Sequence, residues 1–435
     1  MTPWLKDIFS KYSMVLVLLG LCVFFSVTTI REQQPTPEQA VQEVWGGRRA
    51  PMEWGTVVVG SKSPEDEDFA EEFVSAWKLA AVSDPGQRVW LGTPQEIRKR
   101  ILEQAGQPIE LIVAPGARNW VLFEDLGNKF PGQQIKLTVI GGSRWPNFLK
   151  RQNLINVVNR IVEIGILAVG MTLVILTGGI DLSVGSLIAL SSVVTTIMIR
   201  DTFGGGIANI AQVFLSGFAG IAVCGLCGLI SGLLIVGFKI PPFIATLGMM
   251  MIASGTAFMI SNGESIDHVP QNFVWLGRSK WAEIPVAVWL MLAIYILAHG
   301  VMKFTTYGRS IYAIGGNETA ARLCGVRVDW ITATAYGISG LLAGLGGVVM
   351  SSRLATGDAK YGSMVELQVI AAVVVGGTSL RGGYGTMFGT LIGALIIAVI
   401  ENGMNLMQIG SYAQKVVFGV IILLAVLVDR LRQQV

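Results

Sequence analysis

The sequence predicts a polytopic α-helical membrane protein of about ten transmembrane helices, with a small extracytoplasmic α/β insertion between the first and second helices. Of the 435 residues, 52% are hydrophobic and only 14% are charged. The mean hydropathy of +0.59 exceeds what the mixed-charge surface of a water-soluble protein allows. Several segments also reach the roughly 18–20 apolar residues that a helix needs to cross a hydrocarbon core of about 30 Å.

The first apolar run, SMVLVLLGLCVFFSVTTI, occupies residues 13–30. Lys6 and Lys11 before it are also compatible with a signal peptide, but the run is long and residues 26–28 make a poor cleavage site. We therefore expect an uncleaved membrane anchor. Further spans are predicted near 161–179, 184–199, 207–237 (which could bend or split), 242–261, 284–302, 329–350, 366–379, 384–401 and 412–429.

Residues 31–150 interrupt this apolar pattern, because they are charged and contain no segment that could cross a membrane. Short β-branched runs alternate with amphipathic stretches, from TVVVG at 56–60 through ARNWVLFEDLGNKF at 117–130 to IKLTVIGG at 135–142. Such alternation predicts a small parallel sheet covered by helices. Thr93 and Glu96 have the capping-box spacing that starts a helix. We thus expect a first transmembrane helix at 1–30, an insertion at 31–150 and a membrane domain at 151–435.

Basic residues set the expected orientation. If ten spans are assumed, the short loops on one side are richer in lysine and arginine than those on the other, which by the positive-inside rule places both termini in the cytoplasm and the insertion outside. The richer side carries Lys6, Lys11, Lys239, Lys303, Arg309, Arg322, Arg327, Arg381, Arg430 and Arg432. The poorer side carries Arg200, Arg278, Lys280, Arg353 and Lys360.

Small residues indicate tight helix packing. The spacings Gly228–Gly232, Gly340–Gly344 and Gly385–Gly389–Gly393 are GxxxG patterns, which let helix backbones approach closely in lipid. Cys224 and Cys227 form a CxxC without nearby histidine or acidic residues, so we interpret them as packing residues and predict no metal site. The net charge of +3 is scattered, which argues against a nucleic-acid partner.

One carboxylate lies between two long apolar stretches, in LTGGIDLSVGSLIAL at 176–190. Gly178 and Gly179 permit an interrupted helix there, and Ser183 could satisfy the freed backbone groups. An acidic group at this depth must be paired, cap a helix or line a path. Asp181 is therefore predicted to cap the following helix, to contact a solute, or both. The later VVGGTSLRGGYG resembles this pattern around Gly376 and Gly377, which leaves open whether the two are corresponding broken elements of a repeat.

The loop at 303–329 is too polar to span, and NETAARLCG within it is predicted to form a short helix that starts at Asn317. On composition alone, a docking surface for a cytoplasmic partner and a plain connector remain equally open. Glu163, Glu366 and Glu401 lie near predicted span ends, where we expect solvated edges.

Catalysis within the chain is not expected. GTVVVGSKS at 55–63 approaches a phosphate-loop pattern, but Ser61 interrupts it and the valine run predicts a strand. With two histidines and no nucleophile and base at useful spacing, the sequence predicts a protein that is not an enzyme and holds no cofactor.

Several ordered motifs resemble the permease subunits of bacterial ABC importers of the ribose, xylose and galactose type. They are ILAVGMTLVILTGGIDLSVGSLIAL, IPPFIATLGMM, GGNETAARLCGV and VVVGGTSLRGGYGTMFGTLIGALII. The resemblance covers about 1–30 and 146–435. It implies a bacterial inner-membrane subunit, paired as a homodimer, that works with a cytoplasmic ATPase carrying ATP and magnesium and with an extracytoplasmic solute-binding protein. In that family the loop matching Gly316, Asn317, Glu318, Ala320, Ala321 and Gly325 seats in the ATPase.

On this basis we expect import of a monosaccharide or similar small polar solute by alternating access. The residues expected to line or gate the path are Gly178, Gly179, Asp181, Ser183, Gly376 and Gly377. The alternatives are a gradient-driven secondary transporter or channel, and an extracytoplasmic sensor with a membrane anchor. The insertion departs from the family and resembles part of one lobe of a periplasmic sugar-binding protein. A single lobe cannot close on a ligand, so we expect it to dock or to act as a scaffold.

Overall fold

The computed structural model describes residues 3–32, 55–80, 89–104, 106–139 and 144–432. The side chains of Lys6, Lys11, Arg430 and Arg432, which enter the orientation argument, lie outside the described residues, as does much of the predicted insertion before residue 55. The chain forms two compact units. One comprises Met1–Thr29 together with Asn147–Val435, and the other comprises Ile30–Pro146.

The chain begins with helix α1, Pro3–Thr28, and then enters the α/β unit. Its strands are β1 Ile30–Glu32, β2 Gly55–Gly60, β3 Val89–Leu91, β4 Ile109–Val113, β5 Ile135–Val139 and β6 Arg144–Pro146. Its helices are α2 Pro64–Ala80, α3 Pro94–Glu103 and α4 Leu126–Lys129. The central sheet has the order β3-β2-β4-β5 with all strands parallel, while β1 pairs antiparallel with β6.

Two local features predicted in this unit, a capping box and a strand, are present in the structure. The predicted capping box is confirmed: the Thr93 hydroxyl accepts from the Glu96 amide at 3.3 Å, and the Glu96 carboxylate accepts from the Thr93 amide at 3.1 Å. The Thr93 amide and, next, Lys62 hold the pKa of Glu96 below its usual value. The valine run is strand β2, as predicted.

The amphipathic stretch at 117–130 is not one helix. It contains the 3₁₀ turn Val121–Phe123 and the four-residue helix α4 instead. Asp125 between them has a φ of 58°, in the left-handed region that interrupts a helix. Leu122 and Phe123 are nevertheless buried against the sheet. The amphipathic pattern therefore identifies buried residues here, but it does not correspond to a helix.

The larger unit is helical. After α1 it contains α5 Arg151–Leu176, α6 Val184–Ile197, α7 Ile210–Phe238, α8 Pro242–Ser261, α9 Gln271–Arg278, α10 Val286–Phe304, α11 Thr306–Gly316, α12 Glu318–Leu323, α13 Val328–Leu354, α14 Val365–Val375, α15 Met387–Leu406 and α16 Ser411–Arg432. A short hairpin of β7 Lys280–Trp281 and β8 Ile284–Pro285 precedes α10. In the described part of the chain, seven helices are long and apolar enough to cross a membrane: α5, α6 with its π-helical extension to Thr202, α7, α8, α10, α13 and α15. Three shorter apolar helical segments, Met14–Thr28, Val365–Val375 and Ser411–Leu427, accompany them.

Two predicted spans need correction. The span near 161–179 starts ten residues earlier, at Arg151, because its polar first turns are packed: Asn153 is buried and donates to the Phe148 carbonyl at 2.9 Å. The span near 366–379 is the 11-residue helix α14, too short to cross a membrane alone, and it ends at Val375. By contrast, α7 is one unbroken helix of 29 residues.

Glycines bring the central helices into backbone contact. A Cβ on Gly228 would overlap the Tyr336 carbonyl, and a Cβ on Gly340 would overlap the Cys224 carbonyl, so α7 and α13 touch through bare backbone. A Cβ on Gly393 would likewise overlap the Ala372 carbonyl of α14. The predicted close contacts at Gly228, Gly340 and Gly393 are therefore confirmed, whereas Gly385 lies before α15 begins and is not part of a helix. Cys224 belongs to the same packing, since its thiol lies 3.2 Å from the Leu187 carbonyl.

Candidate functional site

The first predicted break ends α5 with a Schellman motif. Gly178 has a φ of +83° and donates to the Ile175 carbonyl at 2.9 Å, while Gly179 donates to the Val174 carbonyl at 3.1 Å. This pair of bonds satisfies the last carbonyls of the helix and requires a residue without a Cβ penalty in the left-handed position. The glycines therefore stop the helix and turn the chain.

The second predicted break has the same geometry. Helix α14 ends at Val375, Gly377 has a φ of +84° and donates to the Val374 carbonyl at 2.9 Å, and Thr378 donates to the Val373 carbonyl at 3.2 Å. Because both breaks use the same hydrogen-bond pattern, the likeness between the two sequence stretches reflects a shared backbone conformation.

Asp181 lies in the turn between α5 and α6 and is only 1% exposed. One carboxylate oxygen accepts from the Ser183 amide at 3.0 Å and from the Ser183 hydroxyl at 2.6 Å, just before α6 begins. The other oxygen accepts from the Ser339 hydroxyl of α13 at 2.8 Å. Asp181 thus organises the start of α6 and joins it to α13.

Ser339 also shows how deep this turn lies. It is the twelfth of the 27 residues of α13, a helix long enough to cross a membrane. Gly170 of α5 packs against the same residue, since a Cβ there would lie 2.8 Å from the Ser339 Cα. The turn that holds Asp181 therefore lies beside the middle of a membrane-length helix, where irregular backbone needs protein partners.

The two breaks are in direct contact. The amide of Gly383, in the loop after the second break, donates to the Leu176 carbonyl at the end of α5 at 3.0 Å. A Cβ on Gly178 would lie 3.5 Å from the Arg381 carbonyl of the same loop. The structure thus places the loop that follows Gly376 and Gly377 against the end of α5 and Gly178, a contact that the separation of these residues in sequence does not reveal.

The predicted short helix in the polar loop is present as α12. Asn317 caps it, with its side chain accepting from the Ala320 amide at 3.0 Å. Among the residues predicted to seat in an ATPase, Gly316, Asn317, Glu318, Ala320 and Gly325 are exposed. Ala321 is the exception: it is 5% exposed and packs into the helical core.

Helix α12 also exposes one large apolar side chain that the sequence analysis did not single out. Leu323 is 84% exposed beside Arg322, which bonds to Glu318 at 3.2 Å and to Asp329 at 2.7 Å. Leu323 thus adds an apolar side chain to an exposed segment that is otherwise largely charged. Its signal in the sequence is a single leucine at the end of a short helix.

Comparison with known proteins identifies the family to which the helical unit is similar. A family model described as the permease component of branched-chain amino acid transport systems matches residues 153–426. The chain belongs to this permease family. The match covers the helical unit from α5 onwards and leaves out the α/β unit.

Named relatives are sugar permeases. The ribose import permease protein RbsC of Escherichia coli K12 is 42% identical over 292 residues, covering 66% of this chain and 88% of the relative. RbsC of Bacillus subtilis 168 is 42% identical over 287 residues, 66% and 87% of the two chains. The L-arabinose transport system permease protein AraH of E. coli K12 is 37% identical over 289 residues, 66% and 86% of the two chains. No solved structure matches the permease. The permease is accordingly a multi-pass inner-membrane transport subunit rather than an enzyme.

Two hydroxyls of the permease are buried beside the breaks without a hydrogen-bond partner among the described residues. Tyr336 of α13 is 1% exposed, and a Cβ on Gly179 would overlap its hydroxyl oxygen. Thr378 follows the second break and is also 1% exposed. A buried hydroxyl without a partner costs free energy, so each is available to water or to a polar solute.

Of the three acidic residues expected at solvated helix edges, two are buried, whereas Glu366 is half-buried in the first turn of α14. Glu163 and Glu401 are 5% and 7% exposed, so that expectation was wrong for both. Arg160 forms a two-pronged ion pair with Glu401, with its Nε 2.9 Å from one carboxylate oxygen, and Arg353 lies 2.7 Å from Glu163. These buried carboxylates keep their charge partners within the bundle.

In the α/β unit, the usual ligand position is filled by the protein itself. Ligands of open α/β sheets bind beyond the carboxyl ends of the strands where the strand order switches, here between β2 and β4. Asp66 occupies that crevice: its carboxylate accepts from the Ser61 amide at 2.7 Å and from the Gly116 amide at 2.9 Å. The amides that could bind an anionic or hydroxylated ligand are therefore already engaged.

Proposed function

We propose that this chain is the transmembrane permease subunit of an ATP-driven importer for a monosaccharide or similar small polar solute. The observation that carries the proposal is the 42% identity to ribose import permeases over 88% of their length. A second relative is named for L-arabinose, which keeps the proposal at the level of a sugar class.

The proposed assembly contains two copies of the permease, a cytoplasmic ATP-binding subunit that hydrolyses ATP with magnesium, and an extracytoplasmic solute-binding protein. Ten segments cross the membrane, the one at α14 being completed by the non-helical residues that flank it; both termini lie in the cytoplasm, and α12 faces the ATP-binding subunit. The exposed Leu323 and the capped, exposed start of α12 support that contact. Exposed tryptophans support an outer interface at the opposite end: Trp281 and Trp289 pack edge to face with ring centroids 5.1 Å apart.

The α/β unit, Ile30–Pro146, lies on the outer side in this arrangement and serves as a docking or scaffold element. The Asp66 carboxylate in its crevice supports that role over independent capture of a ligand.

The solute path runs past the two breaks. Gly178, Gly179, Asp181 and Ser183 form its first element, and Gly376 and Gly377 form its second. The free hydroxyls of Tyr336 and Thr378 supply polar contacts without tight binding, as a path that must release its solute requires.

The ion pairs weigh against the secondary-transporter alternative. A proton-coupled carrier needs buried acids that are free to load and release protons. Glu163 and Glu401 are instead paired with Arg353 and Arg160, and the carboxylate of Asp181 is engaged by hydrogen bonds from Ser183 and Ser339.

A matched pair of substitutions at Asn317 tests the ATPase contact. Asn317→Ala removes the α12 cap, worth about 1 kcal/mol, whereas Asn317→Asp keeps a good capping residue. We expect Asn317→Ala to weaken co-purification with the ATP-binding subunit by roughly fivefold, since 1.4 kcal/mol corresponds to tenfold. Asn317→Asp should retain the wild-type amount. Equal retention by both variants, or a wild-type permease that retains no ATP-binding subunit, contradicts the proposal.

A further inference from the structure

Three separate parts of the permease meet through bare backbone at one point. The Leu176 carbonyl ends α5, Gly315 lies in the last turn of α11, and Gly382 and Gly383 lie in the loop after the second break. A Cβ on Gly315 would overlap both the Leu176 carbonyl oxygen and the Gly383 nitrogen. A Cβ on Gly382 would lie 2.8 Å from the same carbonyl oxygen. We call these four residues the glycine junction.

Hydrogen bonds tie the junction together. Gly383 donates to the Leu176 carbonyl at 3.0 Å, which joins the second break to the first. Tyr312, one turn before Gly315 on α11, donates its hydroxyl to the Gly385 carbonyl at 2.8 Å. Helix α11 is therefore bonded to the loop of the second break and packed against the end of the helix that precedes the first break.

The junction stands next to α12 in the chain. Helix α11 ends at Gly316, and the next residue, Asn317, is the N-cap of α12. Contacts between bare backbones contain no rotatable side chain that could absorb a displacement, and close-packed protein transmits strain. A shift of α12 along α11 must therefore either move both breaks or open the junction.

We propose that the glycine junction is the mechanical link through which α12 moves both breaks together. Gly315 and Tyr312 act as positioning residues: they do not contact the solute, and they set how much of the motion of α12 reaches the path. The inference rests on the proposed function, because it assumes that an ATP-binding subunit moves α12.

The first test compares two glycines on neighbouring helices. Gly315→Ala forces the junction apart, whereas a Cβ on Gly300 of α10 would meet nothing within 4 Å. Each variant is assembled with its ATP-binding subunit and solute-binding protein in proteoliposomes, and the uptake of labelled ribose and the hydrolysis of ATP are measured together. We expect Gly315→Ala to lower ribose imported per ATP hydrolysed by about tenfold, within the usual range of coupling between sites. Gly300→Ala should equal the wild type.

The second test removes only a hydroxyl, so folding is preserved. Tyr312→Phe deletes the bond to Gly385, and Tyr307→Phe is its control on the same helix, since the Tyr307 hydroxyl pairs with Thr334 of α13 at 3.1 Å. We expect Tyr312→Phe to lower the ratio of ribose to ATP about threefold, in keeping with one hydrogen bond, and Tyr307→Phe to leave it unchanged.

The possible results distinguish a failure of the proposed mechanical link from a failure of the proposed import function. Wild-type ratios in Tyr312→Phe, or equal losses in both members of either pair, overturn the mechanical link even though the importer works. A wild-type assembly that imports neither ribose nor L-arabinose contradicts the proposed function instead.

Discussion

Asp181 shows how a single carboxylate is accommodated inside an apolar bundle. Its two oxygens accept from Ser183 and Ser339, so the negative charge is offset by an amide and two hydroxyls. These bonds cross from the break to α13, which fixes the position of the turn relative to a membrane-length helix. The bond to the Ser183 amide agrees with the prediction that Asp181 caps the start of the following helix, although the N-cap residue itself is Ser183 and α6 begins at Val184.

Removing that carboxylate should destabilise the permease. Asp181→Ala leaves the Ser183 and Ser339 donors buried without an acceptor, and each such loss costs about 1–3 kcal/mol. Asp181→Asn keeps an acceptor oxygen of the same shape and should lose less. Thermal unfolding of the purified permease in detergent measures both, and equal melting of Asp181→Ala and wild type would show that these bonds carry no stability.

For single residues, the sequence shows which positions are unusual better than it shows which residues they contact. The glycines around Asp181 mark it as an unusual site, because a lone acid between apolar runs has few explanations. Arg160 and Glu401 are 241 residues apart, and each alone resembles a solvated helix end. Tyr336 looks like an ordinary core residue of α13. Only the fold brings these groups to their neighbours.

Contacts between helices depend on glycines that allow the backbones to touch, as the contact of α7 with α13 shows. Gly228 and Gly340 face each other with backbones nearly touching, so this pair has no room for a side chain. Since helices in lipid gain little from the hydrophobic effect, such close packing carries much of their association.

Two glycines of α13 provide a matched test. Gly340→Ala forces a methyl group into the Cys224 carbonyl and should cost about 1–3 kcal/mol through overpacking. A Cβ on Gly337 would lie 3.6 Å from the nearest atom of Leu229, an ordinary contact, and alanine favours the helix. Gly337→Ala should therefore unfold at or above the wild-type temperature. A Gly340→Ala variant as stable as Gly337→Ala would contradict the backbone contact.

Element boundaries follow local chemistry where that chemistry is strong. The span predicted at 242–261 coincides with α8, and the Thr93 capping box starts α3. Predicted boundaries fail where tertiary contacts or the backbone turn decide. The polar start of α5 is helical because Asn153 has buried partners, and α14 stops early because Gly377 and Thr378 close a Schellman motif.

The whole molecule combines a permease body with an α/β unit that its family match does not cover. The parallel order of that sheet agrees with the alternation of strands and helices in the sequence. The closure of its crevice by Asp66 was not predictable, because Asp66 is one of several acids at the start of α2. For the body, motif order indicated the permease type, whereas the contact between the two breaks required the fold.

The central claim is that ATP hydrolysis on a separate subunit drives the transport of a sugar through this permease. Uptake of labelled ribose into proteoliposomes tests it most directly, with the permease alone and with the ATP-binding subunit and solute-binding protein added, each with and without ATP and with and without a proton gradient. The account predicts uptake only in the complete assembly with ATP, at a rate that the proton gradient leaves unchanged. Uptake by the permease alone, or uptake that follows the proton gradient without ATP, would contradict it.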